Sequence, residues 1–203
     1  KIISAGHING HVFYNLGHAY QRNSQIGYST ASLLAAKRYL PRDPDVLANL
    51  KFVHSKSTDN LVYKVDRGVL DVIGFWLDSF TTKEASWLAV TVSAMSGMWV
   101  FLSFLIPSLE RVRSLAYASL LVPLLAFGNL FLVTKSDQQW GAITASRADI
   151  MSGPGKSNKV LFVLNEGSPF LVTGVAAGWY RIALSDGKKG WVKDTLGKAY
   201  GAF

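Results

Sequence analysis

The side chains that could do chemistry in this sequence are sparse and poorly grouped. His7, His11 and His18 invite a metal, since imidazole is a common ligand. His11 and His18 stand seven positions apart and can share one helix face, but no carboxylate or cysteine completes a ligand set. No metal is expected. Gly155-Lys156-Ser157 has the ending of a phosphate loop. The glycine that such a loop needs five positions earlier is Ile150, and the turn joins strand-like runs rather than opening a helix. Cysteine is absent, which excludes thiol catalysis and thiolate-held metal. No Ser/His/Asp set or carboxylate pair stands out elsewhere. The chain is read as a non-enzyme with no cofactor, and its polar groups as recognition groups.

Two sets fit recognition. Near the N-terminus, Asn15 and Asn49 lie 34 positions apart, and His11, Tyr14, His18, Gln21 and Arg22 share the expected helix face of Asn15. Near the C-terminus, Tyr180, Ile182 and Leu184 alternate with Trp179 and Arg181, so in a strand the second pair faces away from the core. Trp191 joins them as an exposed aromatic surface. The same indoles can instead close a small barrel, the commoner use of large aromatics.

The elements that must carry these groups are arranged around an apolar stretch. Ala85 to Ile106 and Ser114 to Thr134 contain no charged residue, and each is long enough as a helix to cross about 30 Å of hydrocarbon. Their polar residues are small and scattered, with no polar stripe of the kind a core helix shows. Thr81-Thr82-Lys83-Glu84 predicts a capping box before the first span, and Pro107 closes it. Trp87 and Tyr117 suit the membrane interface, and Gly97 and Gly128 are expected to let the helices approach closely. Arg111 and Arg113 in the short connecting loop place residues 107–113 in the cytoplasm and both flanking modules outside. The chain starts at Lys1 without an initiator Met, and an outside N-terminus needs an export signal, so a trimmed start is expected. A net charge of +8 with no dominant basic stripe suits an anionic membrane or wall and argues against nucleic acid.

Residues 1–57 carry Phe13-x-x-Leu16-Gly17-x-x-Tyr20, then Ser29, Leu33, Ala36 and Pro41. This resembles the tetratricopeptide repeat, with Phe for Trp and Ser for Ala. A 34-residue shift carries Phe13, Asn15 and Leu16 onto Leu47, Asn49 and Leu50, so Asp45 to Ser55 predicts a further first helix. Lys1 to Gly6 reads as the end of a preceding repeat. One repeat cannot bury its own faces, so this module needs upstream repeats or another packing partner. The resemblance implies a concave peptide-binding face formed by His11, Tyr14, Asn15, His18, Arg22 and Asn49. Residues 58–84 form a linker whose apolar run from Val69 to Phe80 predicts a helix, either interfacial or packed on the repeats.

Residues 139–203 change to short β-like runs: Trp140 to Ala145, Val160 to Leu164, Phe170 to Val175, Trp179 to Leu184 and Gly190 to Val192. Ser185-Asp186-Gly187 between the last two is a hairpin signal. Ser152-Gly153-Pro154-Gly155, Asn165-Glu166-Gly167, Gly178-Trp179-Tyr180-Arg181-Ile182 and Asp186-Gly187-Lys188-Lys189-Gly190-Trp191-Val192 resemble the bacterial SH3 domain in order and spacing. Met151 stands where that family usually has Arg. The resemblance implies an extracytoplasmic module binding cell-wall peptides or proteins, with Trp179, Arg181 and Trp191 as candidate contacts.

The expected architecture is thus a multidomain membrane protein: an α-helical tetratricopeptide solenoid fragment (1–57), a linker (58–84), a two-helix transmembrane hairpin (85–134) and a small all-β SH3-like barrel (139–203). That order resembles the BatE-type proteins of the Bacteroides aerotolerance operons. The resemblance implies an inner-membrane scaffold with periplasmic modules, partnered by von Willebrand factor A-domain Bat proteins and a MoxR-type AAA ATPase and linked to oxidative-stress tolerance. The other reading is a cell-wall tether or sensor whose SH3 module binds peptidoglycan.

Overall fold

The first helix, α1 (Gly10–Arg22), starts where Asn9 accepts a hydrogen bond from the Val12 amide at 2.8 Å, satisfying one of the free donors of a helix start. A three-residue turn leads into α2 (Ile26–Tyr39), and Asp43 with Pro44 opens α3 (Pro44–Lys56). The structure is a computed structural model that describes residues 9–59, 61, 80–136, 139–155 and 157–201. The expected repeat end at Lys1 to Gly6 and most of the expected linker helix lie outside the described residues. The three helices share a core of Phe13, Leu33, Leu34, Val46, Leu50 and Val53. Gly17 allows the close crossing of α1 and α2, because a Cβ there would lie 2.8 Å from Leu33 Cγ. Ser29 Oγ donates to the Gly17 carbonyl at 2.9 Å, so the hydroxyl is paired inside the crossing.

The C-terminal region is an antiparallel seven-stranded sheet: β1 (Trp140–Ile143), β2 (Arg147–Met151), β3 (Val160–Asn165), β4 (Pro169–Ala176), β5 (Trp179–Ala183), β6 (Lys189–Lys193) and β7 (Gly197–Ala199). Their spatial order is β3-β2-β6-β5-β4-β1-β7. Five strands fall where the alternation placed them. The other two, β2 and β7, did not register as runs: β2 alternates Arg147 and Asp149 outward with Ala148 and Ile150 inward, and β7 is only Gly-Lys-Ala. Ile143, Ile150, Phe170, Ile182 and Val192 fill the core, with Leu184 beside them and Tyr180 at its margin, the face predicted for that strand.

By their contacts the described residues fall into two units: those before residue 74 together with those after 137, and those between. In the first unit α2 packs along β1 and β7, so this helix is covered by the chain's own β-sheet. Packing on both sides buries α2 continuously from Ser29 to Ala36. Trp140 and Tyr200 pack against the helical core, with the Tyr200 ring 5.3 Å from that of Phe13. Burial there pushes the Tyr200 hydroxyl up to about 12. Leu61, just beyond α3, packs in return against the barrel core.

The second unit contains α4 (Thr82–Leu105), a 3-10 segment (Pro107–Val112), α5 (Arg113–Ala118) and α6 (Leu121–Ser136). Thr81 and Glu84 close the predicted capping box reciprocally. Two stretches, Thr82–Leu105 and Arg113–Phe131, are long and apolar enough to cross a membrane. Large side chains point away from the helix pair, with Trp87 64%, Phe131 66% and Leu125 72% exposed. The second stretch is not the unbroken helix expected from Ser114 to Thr134; it breaks at Ser119-Leu120. Pro123 has no N–H to offer the Ser119 carbonyl, which instead accepts from Val122 N at 3.1 Å and from Ser96 Oγ of α4 at 3.2 Å. Gly97 and Gly128 do not mediate the helix contact, since a Cβ on either would meet nothing within 4 Å. The seam is made by Ala85, Ala89, Ser96 and Ser103, whose spacing keeps one face of α4 on its neighbour, with Ala116 and Val133 opposite.

Candidate functional site

Two surfaces of the first unit carry the recognition residues. On α1, positions 11, 14, 15, 18 and 22 follow the helical repeat and make one stripe. His11, Asn15 and Arg22 are exposed, while Tyr14 and His18 are half-buried with their rings edge-on at 5.1 Å. Asn49 on α3 faces this stripe. Its amide donates to Tyr14 Oη at 3.4 Å and to the Asp45 carbonyl at 2.7 Å. Tyr14 thus touches both His18 along α1 and Asn49 across on α3, flanked by His11 and Asn15 on the exposed side of α1, with Arg22 at the far end.

The stripe on α3 continues through Phe52, one turn beyond Asn49, which is 45% exposed with Lys56 Nζ 5.6 Å from its ring centroid. Sequence reading missed Phe52. Its signal was a large apolar residue off the Val46, Leu50, Val53 stripe that faces the core.

The second surface is the outer face of β5 and β6. Their register pairs Ala183 with Lys189, Arg181 with Trp191 and Trp179 with Lys193. Directly opposed residues point to the same side of a sheet, so two of these rungs set an indole beside a cation and the third adds Lys189. Trp179 and Trp191 are half-buried and Arg181 and Lys189 exposed, so the indoles rest partly on the barrel and present the remainder. Among the described residues, Arg181, Lys189 and Lys193 have no carboxylate partner. Two acids of this region are engaged elsewhere: Asp149 lies 3.8 Å from Arg147, and Asp186 lies 2.7 Å from Lys188. The bond from the Lys188 ammonium, helped by its amide, holds the Asp186 carboxyl below its ordinary value. Tyr180, on the inner side, is raised by burial and by the nearby Asp194 charge.

Such a face can hold an extended ligand by stacking and by charge. No curated protein matches this chain. The match to a known family falls on residues 146–197, which span β2 to β6 and leave β1 outside. The C-terminal barrel is similar over those residues to the bacterial SH3 domain family.

Proposed function

We propose that this chain is a non-catalytic, membrane-anchored adaptor that holds a protein partner in the α1/α3 groove and a second ligand on the β5–β6 face. The observation that carries it is the placement of both surfaces on one compact unit, in a chain with two helices apolar enough to cross a membrane. A tetratricopeptide-type use of the groove fits the Gly17 crossing and the position of Asn49. In this reading both recognition surfaces lie in the periplasm, the 107–113 loop lies in the cytoplasm, and the partners are those of a Bat/MoxR-type envelope system. Double substitution Tyr14→Ala and Asn49→Ala in the full chain should abolish co-purification of von Willebrand factor A-domain Bat proteins from detergent extracts. Unchanged co-purification would remove the groove from the proposal.

The alternation of Trp179, Arg181, Trp191 and Lys193 favours a second reading, a tether whose barrel binds peptidoglycan. Detergent-solubilised full chain pelleting with purified peptidoglycan, and failing to do so as Trp191→Ala, would support it. Equal pelleting of the two proteins would remove this face from the tether reading.

A further inference from the structure

We infer that the N-terminal helices and the barrel are two halves of one split domain, so that the apolar hairpin between them must return the chain to the side it left. The junction is a reciprocal exchange. Leu61 from the first half packs into the barrel core, and Trp140 and Tyr200 from the second pack into the helical core. Gly27 of α2 touches the barrel backbone so closely that an added Cβ would run into the Ile143 carbonyl and lie 2.7 Å from Thr144 Cα.

The polar groups of each half are also completed by the other. Gln25 gives α2 no side-chain cap, and the donor at Gly27 N is taken by Glu166 Oε1 from the β3–β4 turn at 2.9 Å. A carboxylate there also complements the positive end of the helix. Asp59, past the end of α3, accepts from Asn165 N at 2.7 Å, from Asn165 Nδ2 at 2.9 Å and from Ser168 Oγ. Ser57 Oγ donates to the Glu166 carbonyl at 3.4 Å. Separation would leave α2 uncapped and strip an apolar face from each half, which neither can rebury alone.

The junction draws on the bacterial SH3 match, through Asn165, Glu166 and Ser168, and on strands at and beyond its ends. Residues 146–197 hold five strands, whereas α2 rests on β1, which precedes the match, and on β7, whose first residue ends it. β1 and β7 pair with each other and thus form a docking ribbon added to the matched barrel. Because residues on both sides of the hairpin build this junction, an odd number of crossings would separate its halves. The number of crossings is therefore even, and with two stretches long and apolar enough to span, we take them to cross as a pair.

The full chain, which has no cysteine, permits a direct test. Single cysteines at Ser24, Ser108 and Ser185 are treated with a membrane-impermeant thiol reagent in sealed vesicles of either orientation. Ser24→Cys and Ser185→Cys should label in the same preparation and Ser108→Cys in the other. Separately, Glu166→Ala removes the cap of α2 from the opposite half, and amide exchange of α2 should accelerate about tenfold, as for loss of a helix cap. Labelling of Ser24→Cys and Ser185→Cys from opposite sides would overturn the inference, and so would unchanged α2 exchange in Glu166→Ala.

Discussion

α2 and α4 are both helices without a polar stripe, yet they solve opposite problems. α2 sets small residues, Ser29 to Ser32 with Ala35 and Ala36, around Leu33 and Leu34, and protein covers it on two sides. α4 turns its small residues, Ala85, Ala89, Ser96 and Ser103, toward its neighbour and its large ones outward. A helix buried in protein needs small side chains wherever backbones approach. A helix facing lipid needs them only along one seam, because the bilayer accepts any apolar bulk. Side-chain size around the helix, more than mean hydropathy, distinguishes the two.

The sharpest way to break this comparison is to truncate one leucine in each helix pair. Leu33→Ala, fully buried against Gly17, should cost about 3 kcal/mol in denaturant unfolding of the detergent-solubilised chain. Leu125→Ala, 72% exposed on α6, should change stability by less than about 0.5 kcal/mol. Similar losses at the two sites would mean that Leu125 is buried in protein. Next in size, Gly27→Val forces a branched side chain into the barrel backbone and should cost about 2 kcal/mol by the same measurement. A neutral result would show α2 standing clear of β1.

Asp59→Ala leaves the Asn165 donors without their acceptor, while the Ser168 hydroxyl keeps the Asn165 carbonyl, and should cost about 1–2 kcal/mol. Burial raises the Asp59 carboxyl, but hydrogen bonds from Ser168 and Asn165 more than offset this and hold it below its ordinary value. A carboxylate favoured in the folded state contributes fully above its unfolded pKa, and that contribution fades as pH falls through the folded value. The wild-type chain should therefore lose this increment below about pH 4. The gap between wild type and Asp59→Ala, followed by thermal unfolding against pH, should narrow over that range. Smallest is Ser96→Ala, which removes the bond to the Ser119 carbonyl and should loosen the hairpin by about 0.6 kcal/mol in a double-mutant cycle with Pro123→Ala. The cycle should couple, because Pro123→Ala supplies the missing backbone donor.

Much of this architecture was legible because local patterns and tertiary demands agree. The Gly17 crossing, the Thr81 capping box and the alternation in β5 each need only residues within one or two turns or rungs. The 34-residue shift drew attention to Asn49, whose amide reaches Tyr14 Oη of α1 at 3.4 Å, whereas Phe52 carried no periodic partner. Contacts between distant segments were not legible. Glu166 reads as an ordinary turn residue, and nothing near it in sequence indicates that its carboxylate reaches Gly27. Small residues in α2 likewise suggest a repeat packed on another repeat, and of the two strands that cover it β1 stands out as a run whereas β7 is too short to do so. Gly97 and Gly128 misled for a related reason. Glycine permits close approach, but the seam is set by which face of α4 continues through Ala85, Ala89 and Ser96.

The reciprocal junction also sets a clock on biosynthesis. Helix α3 ends at Lys56, whereas Tyr200, which seats in the helical core, is made last among the groups that complete it. At about 5–20 residues per second, the intervening ~140 residues take roughly 10–30 s to emerge. Until β1 and then Glu166 emerge, the barrel-facing side of α2 and the donor at Gly27 N have no partner to meet. The nascent N-terminal helices thus spend their most vulnerable period waiting for a β-sheet that has not yet been translated.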